Sequence, residues 1–229
     1  MKKYTVLAGN YGSGKTEISL NLAVNCAKEG KKVLMIDLDI VNPYFRSSEH
    51  EQMLKSLGIE VIKPCFANTA VDVPSLPPDI AAAFDGDYDI VIFDAGGDPV
   101  GASAIGVFKK QFALHEDETA FYFVINSLRP LQNDIDSIRE MIYLISHKAR
   151  LPVSGLINNT NLANETEIDN ILESMEMVDQ VAELEGVPVK YIGVREDLLG
   201  PLRERLGERA ERLLPLHIYM RPAWQDDTI

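Results

Sequence analysis

Short, almost continuously apolar runs recur along the whole 229-residue chain, and they restrict its possible folds more than any other feature. They are rich in Val and Ile and occupy residues 4–8, 32–37, 58–62, 88–94, 119–126, 153–158 and 187–194. Strands that are apolar on both faces are typical of parallel sheets covered by helices. We therefore expect a mostly parallel sheet of about seven strands in the middle of the molecule.

The segments between these runs carry apolar residues at helical spacing. The two clearest stripes are Ile135, Ile138, Ile142 and Ile145, and then Ile168, Ile171, Met175, Val178 and Ala182. Such stripes pack against a core. Strand and helix patterns alternate to the end of the chain, which predicts a three-layer, doubly wound α/β fold. We expect a single domain spanning residues 1–229.

The charge balance excludes several classes of function. Lys and Arg number 22 against 35 Asp and Glu, a formal charge of −13. Binding to nucleic acid or to an anionic membrane surface requires a basic face, so we expect neither. No apolar run approaches the roughly 20 residues of a membrane span, and a cytoplasmic location is the expectation. The two cysteines, Cys26 and Cys65, lack the spacing of a zinc or redox site.

A glycine-rich segment follows the first apolar run and precedes a helical pattern. It satisfies the phosphate-loop consensus G-x-x-x-x-G-K-[ST] with the residues Gly9-Asn10-Tyr11-Gly12-Ser13-Gly14-Lys15-Thr16. Glycines let the backbone aim its N–H groups at phosphate oxygens, and the helix start adds its positive dipole end. We expect Lys15 to contact the β- and γ-phosphates and the Thr16 hydroxyl to bind Mg²⁺. Glu17 completes the predicted nucleotide-binding segment, and it stands where a dinucleotide fingerprint needs its third glycine.

Three carboxylates follow apolar strands. Asp37 and Asp39 end the second run, and Asp94 ends the fourth. The carboxyl ends of parallel strands share one edge of a sheet, so these side chains should gather near the phosphate loop. Asp94 has the form of a Walker B aspartate that holds Mg²⁺ through water, and the adjacent Gly97 is placed to turn a backbone N–H towards the γ-phosphate. The alternative for each aspartate is a helix cap or a turn.

Taken together, these motifs resemble the SIMIBI class of P-loop NTPases, and within it the MinD/ParA-like ATPases. Asp37-Leu38-Asp39 is similar to the D-x-D motif of that class, residues 40–43 to its switch I, and Asp94-Ala95-Gly96-Gly97 to the start of its switch II. Residues 153–159 and 187–194 resemble the strands that lead to the base-contacting loops. The resemblance covers most of the chain.

The resemblance implies roles for individual residues. Asp39 would orient or activate the attacking water, Asp37 would lie near Mg²⁺, and Asn158 would contact the adenine. Guanine-specific members of the wider class use N-K-x-D, and the corresponding Asn158-Asn159-Thr160-Asn161 lacks both the Lys and the Asp. Adenine is therefore favoured over guanine.

One departure from the family concerns the phosphate loop. The family usually carries a signature lysine at its second position, which reaches across a dimer to the partner's nucleotide, and this chain has Asn10 there. A neutral amide cannot supply that charge. A nucleotide-dependent homodimer is therefore an open possibility, and Arg46 is a candidate substitute unless it is simply a solvated loop charge.

These observations predict a switch protein that binds Mg²⁺ and ATP or ADP, hydrolyses ATP slowly, and docks a protein partner according to the bound nucleotide. Two alternatives stay open. One is an ATP-dependent ligase or kinase for a small molecule, with Lys109, Lys110 and Arg129 as candidate acceptor-site groups. The other is a nucleotide sensor that does not hydrolyse. The proline-rich residues 63–78 predict a long loop, and residues 196–214 predict an apolar stripe that packs on the sheet.

Overall fold

The computed structural model describes residues 1–39, 51–63, 65–66, 74–75 and 79–220. The expected switch I residues 40–43, the candidate Arg46 and most of the predicted 63–78 loop lie outside these ranges. The strands are β1 Tyr4–Ala8, β2 Val33–Leu38, β3 Glu60–Ile62, β4 Cys65–Phe66, β5 Pro74–Ser75, β6 Ile90–Ala95, β7 Thr119–Ile125, β8 Gly155–Asn158, β9 Val189–Arg195 and β10 Leu213–Leu216. The helices are α1 Lys15–Lys28, α2 Glu51–Ser56, α3 Asp79–Ala82, α4 Pro99–Gly106, α5 Lys109–Leu114, α6 Ile135–Ala149, α7 Ile168–Glu185 and α8 Leu199–Leu206.

Eight strands form one parallel sheet in the order β10-β9-β8-β7-β1-β6-β2-β3. This confirms the predicted α/β architecture, and all seven predicted strands are present. The eighth, β10, falls at the end of the segment expected to be an apolar stripe. That segment begins with a 3₁₀ turn at Glu196–Leu198 and continues with helix α8. A second 3₁₀ stretch, Gly207–Arg212, then leads into the strand. The small antiparallel pair β4–β5 stands apart from the main sheet.

The core has two halves, one on each face of the sheet. One half packs α1 and α2 against side chains such as Leu7 and Met35. The other packs α3 to α8 against side chains that include Val6 and Phe93. Both predicted helical stripes lie in this second half, on α6 and α7. Helices on both faces give the three layers, and they explain why the central strands are apolar throughout.

The order of connections fixes where a ligand can bind. From the central β1 the chain first crosses to β2 and β3, returns through β6, and then builds β7 to β10 on the other side. In open parallel sheets, ligands bind at the carboxyl ends of the strands where the direction of winding reverses. The phosphate loop, between β1 and α1, lies at that point.

Both outer strands of the sheet are short. β3 has three residues and β10 has four, and Pro215 lies within β10 opposite Val194 of β9. Within the described ranges, no helix is both long and apolar enough to cross a bilayer.

Close packing between α4 and α6 depends on a glycine. A Cβ at Gly106 would lie 2.7 Å from the backbone oxygen of Lys148, whereas a Cβ at Gly200 in α8 would meet nothing within 4 Å. We expect Gly106→Ala to lower the free energy of unfolding by about 1–3 kcal/mol, because backbone must move to admit the methyl group. Gly200→Ala, the matched control, should be neutral or stabilising by up to about 1 kcal/mol. Urea unfolding of both variants measures the difference, and equal midpoints would contradict this packing argument.

Candidate functional site

The loop between β1 and α1 has the backbone that phosphate binding requires. Gly9, Gly12 and Gly14 have φ angles of 156°, 74° and 84°, a range that glycine adopts without steric cost. α1 begins after Gly14 without a side-chain cap, and the N-terminus of a helix is a favourable place for an anion. The hydroxyl of Ser13 is buried and has no hydrogen-bond partner among the described residues.

Lys15 is held inside this loop. Its side chain is only 7% exposed, and Nζ donates to the backbone oxygen of Asn10 at 3.3 Å. Burial lowers the pKa of Lys15, and the charges of Asp94, Asp39 and Asp98 offset part of that shift. A buried cation surrounded by carboxylates is positioned to gain strongly from an anionic ligand that brings further hydrogen bonds.

Asp37 and Asp94 are neighbours on adjacent strands. They are paired in the β2–β6 register, and both are buried. Asp94 Oδ1 accepts from the Ser19 hydroxyl of α1 at 3.1 Å, while its Oδ2 has no hydrogen-bond partner within the described part of the chain. Burial raises the pKa of Asp94 to about 6, although Lys15 and the hydroxyls of Thr16 and Ser19 act in the opposite direction.

Asp39 and the paired glycines complete the phosphate end. Asp39 N donates to Asp37 Oδ1 at 2.9 Å, and its own partly exposed side chain lines a cavity. A Cβ at Gly97 would lie 3.0 Å from Lys15 Nζ and from the Tyr11 Cα. The segment after β6 therefore lies directly against the phosphate loop.

The residues present fit a hydrated magnesium ion bound together with phosphate. Among the described residues, no three His, Cys, Asp or Glu side chains converge on a point that could hold a metal by themselves. Asp94 nevertheless keeps a buried oxygen without a partner, and the Thr16 hydroxyl acts on the same carboxylate. Mg²⁺ usually keeps several waters and takes one or two carboxylates plus phosphate oxygens, and this arrangement suits that preference.

A cavity of about 450 Å³ extends from the phosphate loop to the C-terminal part of the described chain. At one end it is lined by Gly12, Lys15, Thr16 and Asp39. The lining beyond the phosphate loop consists of Asn159, Asn161, Ala163, Asn164, Leu216, Ile218 and Met220. The residues near the phosphate loop are charged, and the others combine amides with apolar side chains, a composition common in pockets for small molecules.

The asparagine expected to read the base does not face this cavity. Asn158 is buried, its Nδ2 donates to the Ser174 hydroxyl at 2.8 Å, and its Oδ1 accepts from Thr160 N at 3.1 Å. The next residue, Asn159, lines the cavity, and its Nδ2 donates to the backbone oxygen of Ser13 at 2.8 Å. Of these two asparagines, Asn159 rather than Asn158 lines the cavity.

The side chains of Asn10 and Glu17 point to protein groups. Asn10 Oδ1 accepts from Tyr11 N at 2.7 Å, which closes a local turn within the phosphate loop. Glu17 accepts from the backbone N–H groups of Tyr219 and Met220 at 2.7 and 3.0 Å, and burial raises its pKa. Both residues can therefore serve a nucleotide through their backbone groups, while their side chains hold the surrounding protein in place.

Arg129 was not assigned to the phosphate loop by the sequence. It follows β7 and lines the cavity, and a Cβ at Gly12 would lie 3.6 Å from its Nε. Within the described ranges, no carboxylate forms an ion pair with it. Lys109 and Lys110 are exposed on α5 and lie outside the cavity lining.

Comparison with known proteins agrees with this geometry. The family model described as the CobQ/CobB/MinD/ParA nucleotide binding domain (CbiA) matches residues 4–198. No curated protein matches the chain in sequence.

Solved structures with a similar fold include FtsY from Mycoplasma mycoides (TM-score 0.56, 20% identity, 83% of this chain and 60% of that chain). FtsY from Thermotoga maritima is similar at a TM-score of 0.53 and 22% identity, over 94% of this chain and 65% of that one. The signal recognition particle 54 kDa protein from Aeropyrum pernix, solved with GDP, is similar at a TM-score of 0.51 and 19% identity. This similarity covers 84% of this chain and 41% of that one. The chain thus spans less than two thirds of each of these proteins, and at such identities the likeness concerns the fold.

Proposed function

The chain belongs to the CobQ/CobB/MinD/ParA nucleotide-binding domain family, and on that basis we propose that it is a Mg²⁺-dependent ATPase that acts as a molecular switch. A single domain spanning residues 1–229 would bind ATP, hydrolyse it slowly and change its affinity for a protein partner. The proposal therefore concerns the nucleotide cycle and the surface that it controls.

The observation that carries the proposal is the set of groups at the phosphate end of the cavity. A buried lysine, an uncapped helix start and three aspartates at strand ends meet at the switch point of the sheet. Lys15 and the loop amides suit the negative oxygens of a triphosphate. No other described part of the chain combines these features.

Each residue has a defined part in the proposed reaction. Gly12, Gly14 and the first turn of α1 would orient the phosphates through N–H groups. Thr16 and Asp94 would hold Mg²⁺, which when bound neutralises charge on the β- and γ-phosphate oxygens. Asp37 fixes the backbone of Asp39 by accepting its N–H, and Asp39 would orient the attacking water. Most of the catalysis would be positioning and charge stabilisation.

The switch would operate through the segment after β6. Gly97 lies against both Lys15 and Tyr11, so the presence of a γ-phosphate would alter the contacts that hold it. Two exposed apolar side chains adjoin this segment, Tyr11 at 64% and Val100, in the first turn of α4, at 63%. They are the proposed contact points for a partner or for a second copy of the chain, because exposed apolar groups beside a moving segment favour docking.

Adenine is proposed over guanine because the strand end at Asn158 lacks the residues that hold guanine in N-K-x-D proteins. A direct test is calorimetry of the full chain with ATP, ADP and GTP in the presence of Mg²⁺, with phosphate release followed in the same samples. Preferential ATP binding with slow release supports the switch ATPase. Preferential GTP binding would overturn the choice of base, and ATP binding without release would favour a sensor or an enzyme that needs an acceptor.

Arg129 is a second cation for the bound phosphates in this proposal. It lies beside Gly12 in the phosphate loop. The charged groups that act on the neighbouring Lys15 are carboxylates, so Arg129 adds positive charge to a region rich in negative charge. We expect Arg129→Ala to slow phosphate release by roughly tenfold or more, since cations near developing phosphate charge stabilise the transition state. Arg203→Ala, on α8, is the control. Unchanged turnover in Arg129→Ala would rule out this role.

A further inference from the structure

The last described residues of the chain form one wall of the cavity. Residues 216–220, here called the C-terminal strap, continue from the outer strand β10. Leu216, Ile218 and Met220 line the cavity, whereas His217 and Tyr219 lie between them and are absent from its lining. The strap therefore contributes three apolar side chains to the lining of the cavity.

Two side chains of α1 hold the strap by its backbone. Glu17 accepts from Tyr219 N at 2.7 Å through Oε1 and from Met220 N at 3.0 Å through Oε2. Asn21 lies one turn further along α1. Its Nδ2 donates to His217 O at 2.9 Å, and its Oδ1 accepts from His217 N at 2.8 Å. These four hydrogen bonds join parts of the chain about 200 residues apart, and we call them the clasp.

The clasp begins in the same helical turn as the phosphate-binding groups. Glu17 follows directly after Lys15 and Thr16, so the turn of α1 that carries these two cavity-lining residues also holds the strap. The Glu17 carboxylate accepts from two backbone N–H groups of the strap.

We propose that Glu17 and Asn21 are positioning residues for the nucleobase, because the clasp holds the C-terminal strap as an apolar wall against one face of the base. This inference rests on the proposed function and adds the element that distinguishes a nucleotide from a bare polyphosphate. Asn159 and Asn161, which line the same end of the cavity, would contact the polar edge of the base. A planar base gains binding energy from an apolar wall only when that wall is held in place.

The test compares two ligands that differ in the base. Mg²⁺-ATP uses both ends of the cavity, whereas Mg²⁺-tripolyphosphate uses the phosphate end alone. In Glu17→Gln an amide NH₂ replaces one carboxylate oxygen and faces a backbone N–H donor, so the clasp opens. We expect the Kd for ATP to rise at least tenfold and the Kd for tripolyphosphate to change less than threefold. Glu176→Gln, exposed on α7, is the matched control and should leave both constants unchanged.

A second variant and a second readout separate positioning from damage to the phosphate loop. Ile218→Ala shortens a cavity-lining side chain without changing α1. It should also weaken the binding of ATP but not the binding of tripolyphosphate. Hydrogen exchange of a peptide covering residues 214–220 should be faster in Glu17→Gln than in the wild type and the control. The inference would be overturned if the affinities for ATP and tripolyphosphate fell equally. Hydrogen exchange in the strap that is the same in Glu17→Gln as in the wild type would also overturn it.

Failure of the proposed function gives a different pattern. If the wild type bound neither ATP nor tripolyphosphate, the phosphate site itself would be refuted, and the base wall with it. If the wild type bound both ligands equally tightly, the phosphate site would stand and the base wall alone would be refuted.

Discussion

Replacing Lys15 by alanine should weaken ATP binding by at least about a hundredfold. The lysine is the buried cation of the phosphate loop, and the charges of Asp94, Asp39 and Asp98 favour its protonated form. Without it, a bound triphosphate would meet uncompensated carboxylates in a site from which water is largely excluded. Calorimetry with Mg²⁺-ATP measures the loss, and phosphate release should fall with it.

Lys110→Ala is the control for this substitution. Lys110 is also a lysine near the start of a helix, but it is exposed on α5 and lies outside the cavity lining, so its loss should leave binding unchanged. Thermal unfolding checks that Lys15→Ala folds. ATP affinity within threefold of the wild type would show that Lys15 does not contact the phosphates.

Replacing Asp94 by asparagine should produce opposite effects on activity and on stability. Phosphate release should fall by roughly a hundredfold or more, because the variant loses the carboxylate expected to hold Mg²⁺. The ligand-free protein should instead become more stable at neutral pH. Burial makes the ionised form of Asp94 costly, and this is a stability–activity conflict of the kind found at functional sites.

The pH dependence of this gain has a definite sign. In the folded protein the pKa of Asp94 is raised to about 6 from 3.8. The folded state therefore holds a proton that the unfolded state has lost between about pH 4 and 6, and stability falls as pH rises through that window. The separation converts to about 3 kcal/mol as an upper bound at pH 8. Below pH 4 the contribution of ionisation disappears.

Denaturant unfolding of wild type and Asp94→Asn at pH 4, 5, 6 and 8 would measure this difference directly. The gap between the two proteins should widen with pH and level off above pH 6. Asp87→Asn changes a fully exposed side chain and should stay within about 0.5 kcal/mol of wild type throughout. A constant gap across the series would mean that Asp94 does not titrate in this range.

Local patterns in the sequence predicted the elements whose environment is uniform along their length. The central strands lie between two helical layers, so they are apolar at every position and stand out as runs. β10 lies at the edge of the sheet, has four residues and includes a proline, and its leucines also fit the helical stripe before it. An edge strand is recognised by its pairing, which the sequence does not display.

The site likewise has parts that local sequence patterns reveal and parts that depend on long-range contacts. The phosphate loop is a contiguous motif, so its chemistry could be inferred from spacing alone. The clasp joins α1 to residues about 200 positions away, and no local pattern pairs such segments. The choice between Asn158 and Asn159 depended on where β8 ends, because a shift of one residue exchanges the two sides of a strand. β8 ends at Asn158, which leaves Asn159 to turn towards the cavity.

Pro215 has a consequence for how copies of this protein behave at high concentration. The outermost strand of an open sheet offers unpaired N–H and C=O groups that can template a strand from another molecule. β10 is short, and its proline has no N–H to offer to an incoming strand. At the opposite border, β3 extends for only three residues. The sheet thus ends in two poor templates, which protects a chain with so many apolar strands from growing into fibrils edge to edge.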